Sequence, residues 1–304
     1  MQPPDNGLID AFLDEERLPS AFRETITHWY QPLAERLLVE LDNVQRPLIV
    51  GINGAQGTGK STLARYLTLM LRQRQLRIAN LSLDDFYLDS VSRKAMADRV
   101  HPLLVTRGVP GTHDLKLANR LLDRLADGAS RGQEQLPRFD KSVDEPRPRS
   151  EWETIELPVH VVLLEGWFVG LLPQADQALE SPVNPLEARE DPQGTWRRFV
   201  NKELAAFQVL FHRLDFLVML KAPSFDCVYQ WRSLQEQKLA ARSDTDTDSS
   251  KIMDEVALHR FIQHFERLTR HCLEVLPDQA DLVFFLDEQH RITHSRPDSR
   301  QPGH

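Results

Sequence analysis

GAQGTGKS, residues 54 to 61, lies between a short apolar run and a helical pattern, and it limits the fold more than any other stretch. The chain has 13 glycines in 304 residues, yet Gly51, Gly54, Gly57 and Gly59 fall within nine positions. The octet fits GxxxxGK[ST]. Both contexts that pattern requires are present: a strand, Leu48–Ile52, runs in, and a helix with Leu63, Ala64, Leu67, Met70 and Leu71 on one face runs out. Positions without side chains let backbone N–H groups wrap a phosphate, and the helix adds its positive N-terminal end.

Gly54, Ala55, Gln56, Gly57, Thr58, Gly59, Lys60, Ser61 and Thr62 are therefore the candidate nucleotide contacts. In such a loop the lysine, here Lys60, reaches the β and γ phosphates of ATP, and the hydroxyl of Ser61 ligates Mg2+. A nucleotide loop alone names no reaction, because switches, motors, transporters and small-molecule kinases share it.

The rest of the chain reads as a parallel α/β protein. Short apolar runs at Leu48–Ile52, Ile78–Leu83, Val159–Leu164, Phe216–Leu220 and Leu282–Leu286 alternate with long connections, as parallel strands require. Five strands are expected. Residues 1 to about 46 carry Phe12, Phe22, Ile26, Trp29, Leu33 and Leu37 at mostly helical steps, broken by Pro19 and Pro32, which suggests a helical extension. The stretches 173–195 and SDTDTDSS, 243–250, read as loops or lids, and the segment from Thr293 reads as a flexible tail.

Composition narrows the partners. A net charge of −8 counts against broad binding to nucleic acid, which relies on Lys and Arg against phosphates. Two cysteines, Cys227 and Cys272, are too few for a disulfide framework and suggest a reducing compartment. The N-terminus has no basic leader with a signal-length apolar run, and the longest apolar stretch, VVLLEGWFVGLL, is broken by Glu165. A cytoplasmic protein with no membrane span is expected.

Acidic residues stand where a reaction would need them. The second strand ends in Asp84 and Asp85, followed by Phe86 and Tyr87, and carboxyl ends of parallel strands adjoin the ligand crevice. Asp84 is the candidate base for a hydroxyl acceptor; the alternative is that both aspartates cap the next helix. The third apolar strand ends in Glu165, placed to hold Mg2+ directly or through water, or else an ordinary strand-end carboxylate. TRGVPGTHDL and LPRFDKSVDEPRP bring Arg107, His113, Asp114, Arg138 and Lys141 into loops suited to a small anionic, hydroxylated acceptor, although each charge alone could be a solvated surface group. Arg232, on a helical stretch after the fourth strand, could close over the γ-phosphate or face solvent. DEQHRI, 287–292, after the last strand, is a place for base recognition.

Taken together, GAQGTGKS, LSLDDFYL, RGVPGTHDL, LPRFDKS, LLEGW and VYQWRSLQE resemble the D-glycerate 3-kinase family of plants, fungi and bacteria. That family lies within a wider group with phosphoribulokinase, uridine kinase and bacterial pantothenate kinase. The resemblance runs over about residues 45 to 290, in the same order. It implies a P-loop NTPase kinase fold with a mostly parallel sheet flanked by helices, a kinase domain over 46–292 between a helical extension (1–45) and a tail (293–304), and phosphorylation of a small alcohol by ATP with Mg2+. It implies Asp84 as base, Lys60 on the phosphates, Ser61 and Glu165 on the metal, and Arg232 in the lid. D-glycerate is the implied acceptor, met by Tyr87, Arg107, Arg138 and Lys141. Another small alcohol (a nucleoside, pantothenate or a sugar acid) is the alternative within enzymes, and an ATP-binding regulatory protein the alternative outside them. Oligomeric state is left open.

Overall fold

The computed structural model describes residues 6–240 and 255–297. Three helices open the chain, α1 (Asn6–Glu15), α2 (Phe22–Thr25) and α3 (Gln31–Asn43), with a π-helical turn at Ile26–Tyr30 between the last two. β1 (Leu48–Gly54), α4 (Lys60–Arg72) and β2 (Ile78–Ser82) follow, then α5 (Ser90–Arg99) and α6 (Leu115–Ala126). Four short strands, β3 (Gly132–Leu136), β4 (Phe139–Asp140), β5 (Glu145–Pro146) and β6 (Glu153–Leu157), lead into β7 (Val161–Gly166). Next come α7 (Pro185–Glu190), α8 (Thr195–Ala206), α9 (Gln208–Phe211) and β8 (Phe216–Lys221). The chain ends with α10 (Phe225–Ala240), α11 (Glu255–Val275), β9 (Leu282–Leu286) and β10 (Ile292–Pro297).

Among the described residues the central sheet has six strands in the order β10-β9-β8-β1-β7-β2. All are parallel except β10, which runs antiparallel on β9. Strands β1 and β7 are buried along their whole length, which explains why their sequences read as continuous apolar runs rather than alternating ones. Two apolar layers cover the faces. One joins Leu63, Leu67 and Leu71 of α4 to Phe12, Ile26, Tyr30 and Leu37 of the N-terminal helices, so those helices share a core with the sheet. The other joins α6, α8, α9 and α11 through Leu122, Trp196, Leu210 and Phe265.

Two expectations need correcting. The sheet has a sixth strand where a flexible tail was expected over 293–304: residues 292–297 pair with β9. ITHSRP carries no burial signature because it is an exposed edge strand, held by the ladder, by His294 stacked on Phe285 at 4.2 Å, and by Arg296 on Asp278 at 2.8 Å. Residues 298–304 lie outside the described residues, as does SDTDTDSS. The segment 173–195 is no open loop. It contains α7 and is held by two buried arginines, Arg197 on the Leu179 and Asp191 carbonyls and Arg267 on Ala178 O, Ser181 O and Glu187. No described helix is long and apolar enough to cross a membrane.

Candidate active site

Register places the chemistry at one end of the sheet. Glu165 of β7 lies opposite Ile52 of β1 on one side and Ser82 of β2 on the other. The carboxyl ends of three adjacent strands thus present the glycine loop, Glu165 and the turn Leu83–Phe86 to one crevice.

The loop owes its shape to the glycines. Gly57 and Gly59 have φ of +83° and +87°, a region that side chains resist, and Gly59 is the left-handed residue from which α4 starts. At Gly54 a Cβ would clash with Thr58 Oγ1, which itself donates to Ala55 O at 2.9 Å and ties the loop together. Gly54, Ala55 and Thr58 are buried and form the underside. Gln56, Gly57, Gly59, Lys60, Ser61 and Thr62 line a cleft of about 480 Å³.

Asp84, Tyr87, Arg107, Lys141 and Arg232 line the same cleft. Ser82 caps the turn by accepting from Asp84 N at 3.3 Å, so Asp84 is not itself a cap and its carboxylate is turned elsewhere. Tyr87 donates its hydroxyl to Asp84 Oδ1 at 2.6 Å, and Lys141 Nζ donates to Oδ2. Burial pushes the Asp84 carboxyl up, but the charges of Lys141 and Lys60, with hydrogen bonds from Lys141 and Tyr87, outweigh it and hold the group at about 2. Its neighbour goes the other way: burial raises Asp85 to about 6, despite Arg138 and the Phe139 N–H. Burial and the adjacent Asp84 raise Tyr87 well above its ordinary range, so its hydroxyl stays a donor.

Glu165 sits just behind the loop helix. Ser61 Oγ donates to its Oε1 at 2.9 Å, and Oε2 is buried without a hydrogen bond, 3.9 Å from Lys60 Nζ. No cluster of three or more His, Cys, Asp or Glu suited to a metal occurs among the described residues. A hydroxyl beside a buried, underused carboxylate oxygen still suits Mg2+, which takes few protein ligands and fills its shell with water and phosphate oxygens.

Three sequence candidates lie away from the cleft wall. Arg138 turns to Asp85 and Glu153, at 3.4 and 2.5 Å. Asp114 caps α6 by accepting from Leu117 N at 2.9 Å. His113 is buried behind Tyr87, its ring 4.6 Å from that ring and 5.5 Å from Phe168, and burial lowers it to about 4. Each has found a local partner or an apolar pocket, which charge and loop position alone do not reveal.

Other residues of the cleft carry weak sequence signals. Trp231 packs on Gly57, stacks on His290 at 4.1 Å and donates to Glu288 O at 2.9 Å, while His290 Nδ1 lies 3.0 Å from Gly57 O. His290 belongs to the DEQHRI segment, and Trp231 is readable only as the residue before Arg232. Phe261 and Phe265 of α11 also line the cleft, though in sequence they look like ordinary core aromatics.

Strand, glycine loop, helix and strand-end carboxylates in this order, with a cleft beside the loop, make the chain a P-loop protein of the kinase type. No family model matches the chain. It is 31% identical over 261 residues to the uncharacterized kinase mug58 of Schizosaccharomyces pombe, covering 77% of this chain and 89% of that protein. It is 32% identical over 206 residues to the chloroplastic D-glycerate 3-kinase of Arabidopsis thaliana, covering 65% of this chain but 42% of that longer protein. The solved structure of a D-glycerate 3-kinase from Cryptococcus neoformans superposes with a TM-score of 0.70 at 25% identity, over 88% of this chain and 98% of that one. The chain belongs to the D-glycerate 3-kinase family of P-loop kinases, and it is a phosphotransferase.

Proposed function

We propose that this chain transfers the γ-phosphoryl group of ATP to the 3-hydroxyl of D-glycerate, giving ADP and 3-phosphoglycerate. The observation that carries the reading is the meeting of Asp84 with Lys60 from one side and with Arg107 and Lys141 lining the acceptor side of the same cleft. A carboxylate base beside a phosphate lysine, with cations nearby, suits a small hydroxy acid better than a neutral alcohol.

In this mechanism the loop backbone and Lys60 hold the phosphates. Asp84, oriented by Tyr87, accepts the hydroxyl proton as the acceptor oxygen bonds to phosphorus and the β–γ bridging bond breaks. Arg107 and Lys141 receive the acceptor carboxylate, and Arg232, which lines the same cleft, faces the transferred group. Ser61 and Glu165 would hold Mg2+, whose charge would offset that of the phosphates. Trp231 and His290, at the Gly57 end of the cleft, are the residues nearest to hand for the base. The two buried thiols, Cys227 and Cys272, accord with a cytoplasmic setting.

A coupled ADP-release assay with ATP and Mg2+, comparing no acceptor, D-glycerate, L-glycerate, uridine and pantothenate, tests the reading. Release stimulated by D-glycerate alone supports it. Phe261 and Phe265 in the cleft wall favour a nucleoside as the second reading, through stacking, and stimulation by uridine would replace the first with it.

A further inference from the structure

We propose that Lys141 exchanges partners during the reaction: it rests on Asp84 while the acceptor site is empty and moves onto the acceptor's carboxylate when that group enters, so that an acid frees the base and a neutral alcohol does not. This rests on the kinase reading with a carboxylate acceptor, and adds what would make the site choose an acid at the chemical step.

The geometry has a fixed support with a mobile charge on it. Lys141 sits in the turn between β4 and β5, and its side chain is 57% exposed. The hairpin is anchored without it. Glu145 accepts from Ser90 N at 3.3 Å and from Ser90 Oγ, while Asp144 accepts from the buried Arg93 and from Arg107. Phe139 N donates to Asp85 at 3.2 Å. Lys141 can therefore leave Asp84 with the hairpin in place.

Asp84 likewise keeps its orientation when the lysine goes, because Tyr87 holds the other oxygen at 2.6 Å. The charged or titratable groups around Asp84 are Lys60 from α4, Asp85 and Tyr87 from its own turn, Glu165 from β7, His113 from the loop before α6, and Lys141. Lys60 also lies by Glu165 and is claimed by the phosphates, and Arg107 is tied to Asp144. Lys141, with a flexible stem and three rotatable donors, is the cation best able to follow an incoming anion.

The chemical consequence is direct. An ammonium on a carboxylate makes it a poorer proton acceptor, and removing the ammonium restores its basicity. With glycerate bound, Lys141 pairs with the acceptor carboxylate and Asp84 Oδ2 faces the hydroxyl. The hydroxyl proton passes to Asp84, the acceptor oxygen bonds to the γ-phosphorus, and ADP leaves with the bridging oxygen. With glycerol, which fills the same space without an anion, Lys141 stays where it is.

The test compares initial rates of wild type, Lys141→Met and Lys141→Arg with D-glycerate and with glycerol, at saturating ATP and Mg2+, after circular dichroism shows each variant folded. Wild type should prefer glycerate in kcat as well as in KM. Lys141→Met leaves Asp84 unmasked whatever binds, so glycerol kcat should rise toward that of glycerate, shrinking the kcat preference by about 10²-fold, the low end of what a positioned base contributes, while glycerate keeps its kcat and loses in KM. Lys141→Arg should restore much of the preference. Equal loss on both acceptors would overturn the inference while leaving the kinase reading intact, and so would a rise in glycerate KM with glycerol kcat unchanged. Wild type that ignores D-glycerate altogether would bring down the acceptor reading, and this inference with it.

Discussion

Single side chains decide the chemistry, and Asp84 is the most exposed to test. Asp84→Asn keeps the shape and the Tyr87 contact but removes the proton acceptor. Its kcat should fall by about 10²- to 10⁴-fold, the range of a general base, while a fluorescent ATP analogue binds as before; near wild-type turnover would remove Asp84 from the role. Glu165→Gln leaves Ser61 a partner but takes away the buried charge, so the Mg2+ concentration giving half-maximal ADP release should rise about 10-fold or more. An unchanged Mg2+ requirement would separate Glu165 from the metal. The loop at residues 54–62 was legible because its backbone freedom is written in glycine, and Gly57 and Gly59 take the left-handed region that this allows. The Lys141 contact was not, because 57 positions separate it from Asp84 and no local pattern links them. Asp114 and Arg138 show the converse: a charge in a loop reads as available until the fold shows what it already binds.

At the level of elements, the same contrast has a packing cause. The five parallel strands were visible as buried apolar runs, and α4 as an amphipathic helix. β10 was invisible because an edge strand with one solvated side needs no apolar code. The segment 173–195 looked like a loop or lid because its Pro, Asp and Glu content was read locally; its order comes from Arg197 at the start of the next helix and from Arg267 on α11, far along the chain. Arg267 and Glu187 are almost wholly buried, so Arg267→Ala strands a carboxylate and should cost about 3–5 kcal/mol in urea unfolding. The double change Arg267→Met with Glu187→Leu should recover most of that. A loss below about 1 kcal/mol in the single variant would mean the segment is held by other contacts.

For the molecule as a whole, buried histidines set an acid limit. Burial lowers both His113 and His264 from 6.5 to about 4. Between those values the unfolded chain binds a proton at each site that the folded chain does not, so their contribution to stability is complete above about 6.5 and is lost as pH falls toward about 4. Asp85, raised to about 6, works against them over part of that range. His264 stacks edge-on against Trp196 at 5.9 Å, so His264→Phe keeps the packing, and its stability between pH 6.5 and 4 should fall less steeply than wild type by about one proton. Parallel curves in thermal melts across that range would refute it. The N-terminal helices belong to this scale too. Tyr30 and Phe12 pack on Tyr66 of α4 at 5.7 and 5.5 Å, so the N-terminal helices cover one face of the helix that follows the glycine loop. By itself the sequence determined the phosphate loop, the parallel strands and the acids at their ends, since glycine freedom, apolar runs and strand-end position are local properties of a chain. Only the tertiary structure decided which cations share the cleft with Asp84, what covers α4 and how segment 173–195 is held. Those are matters of partner choice between residues far apart in sequence, settled by burial and charge when the layers close.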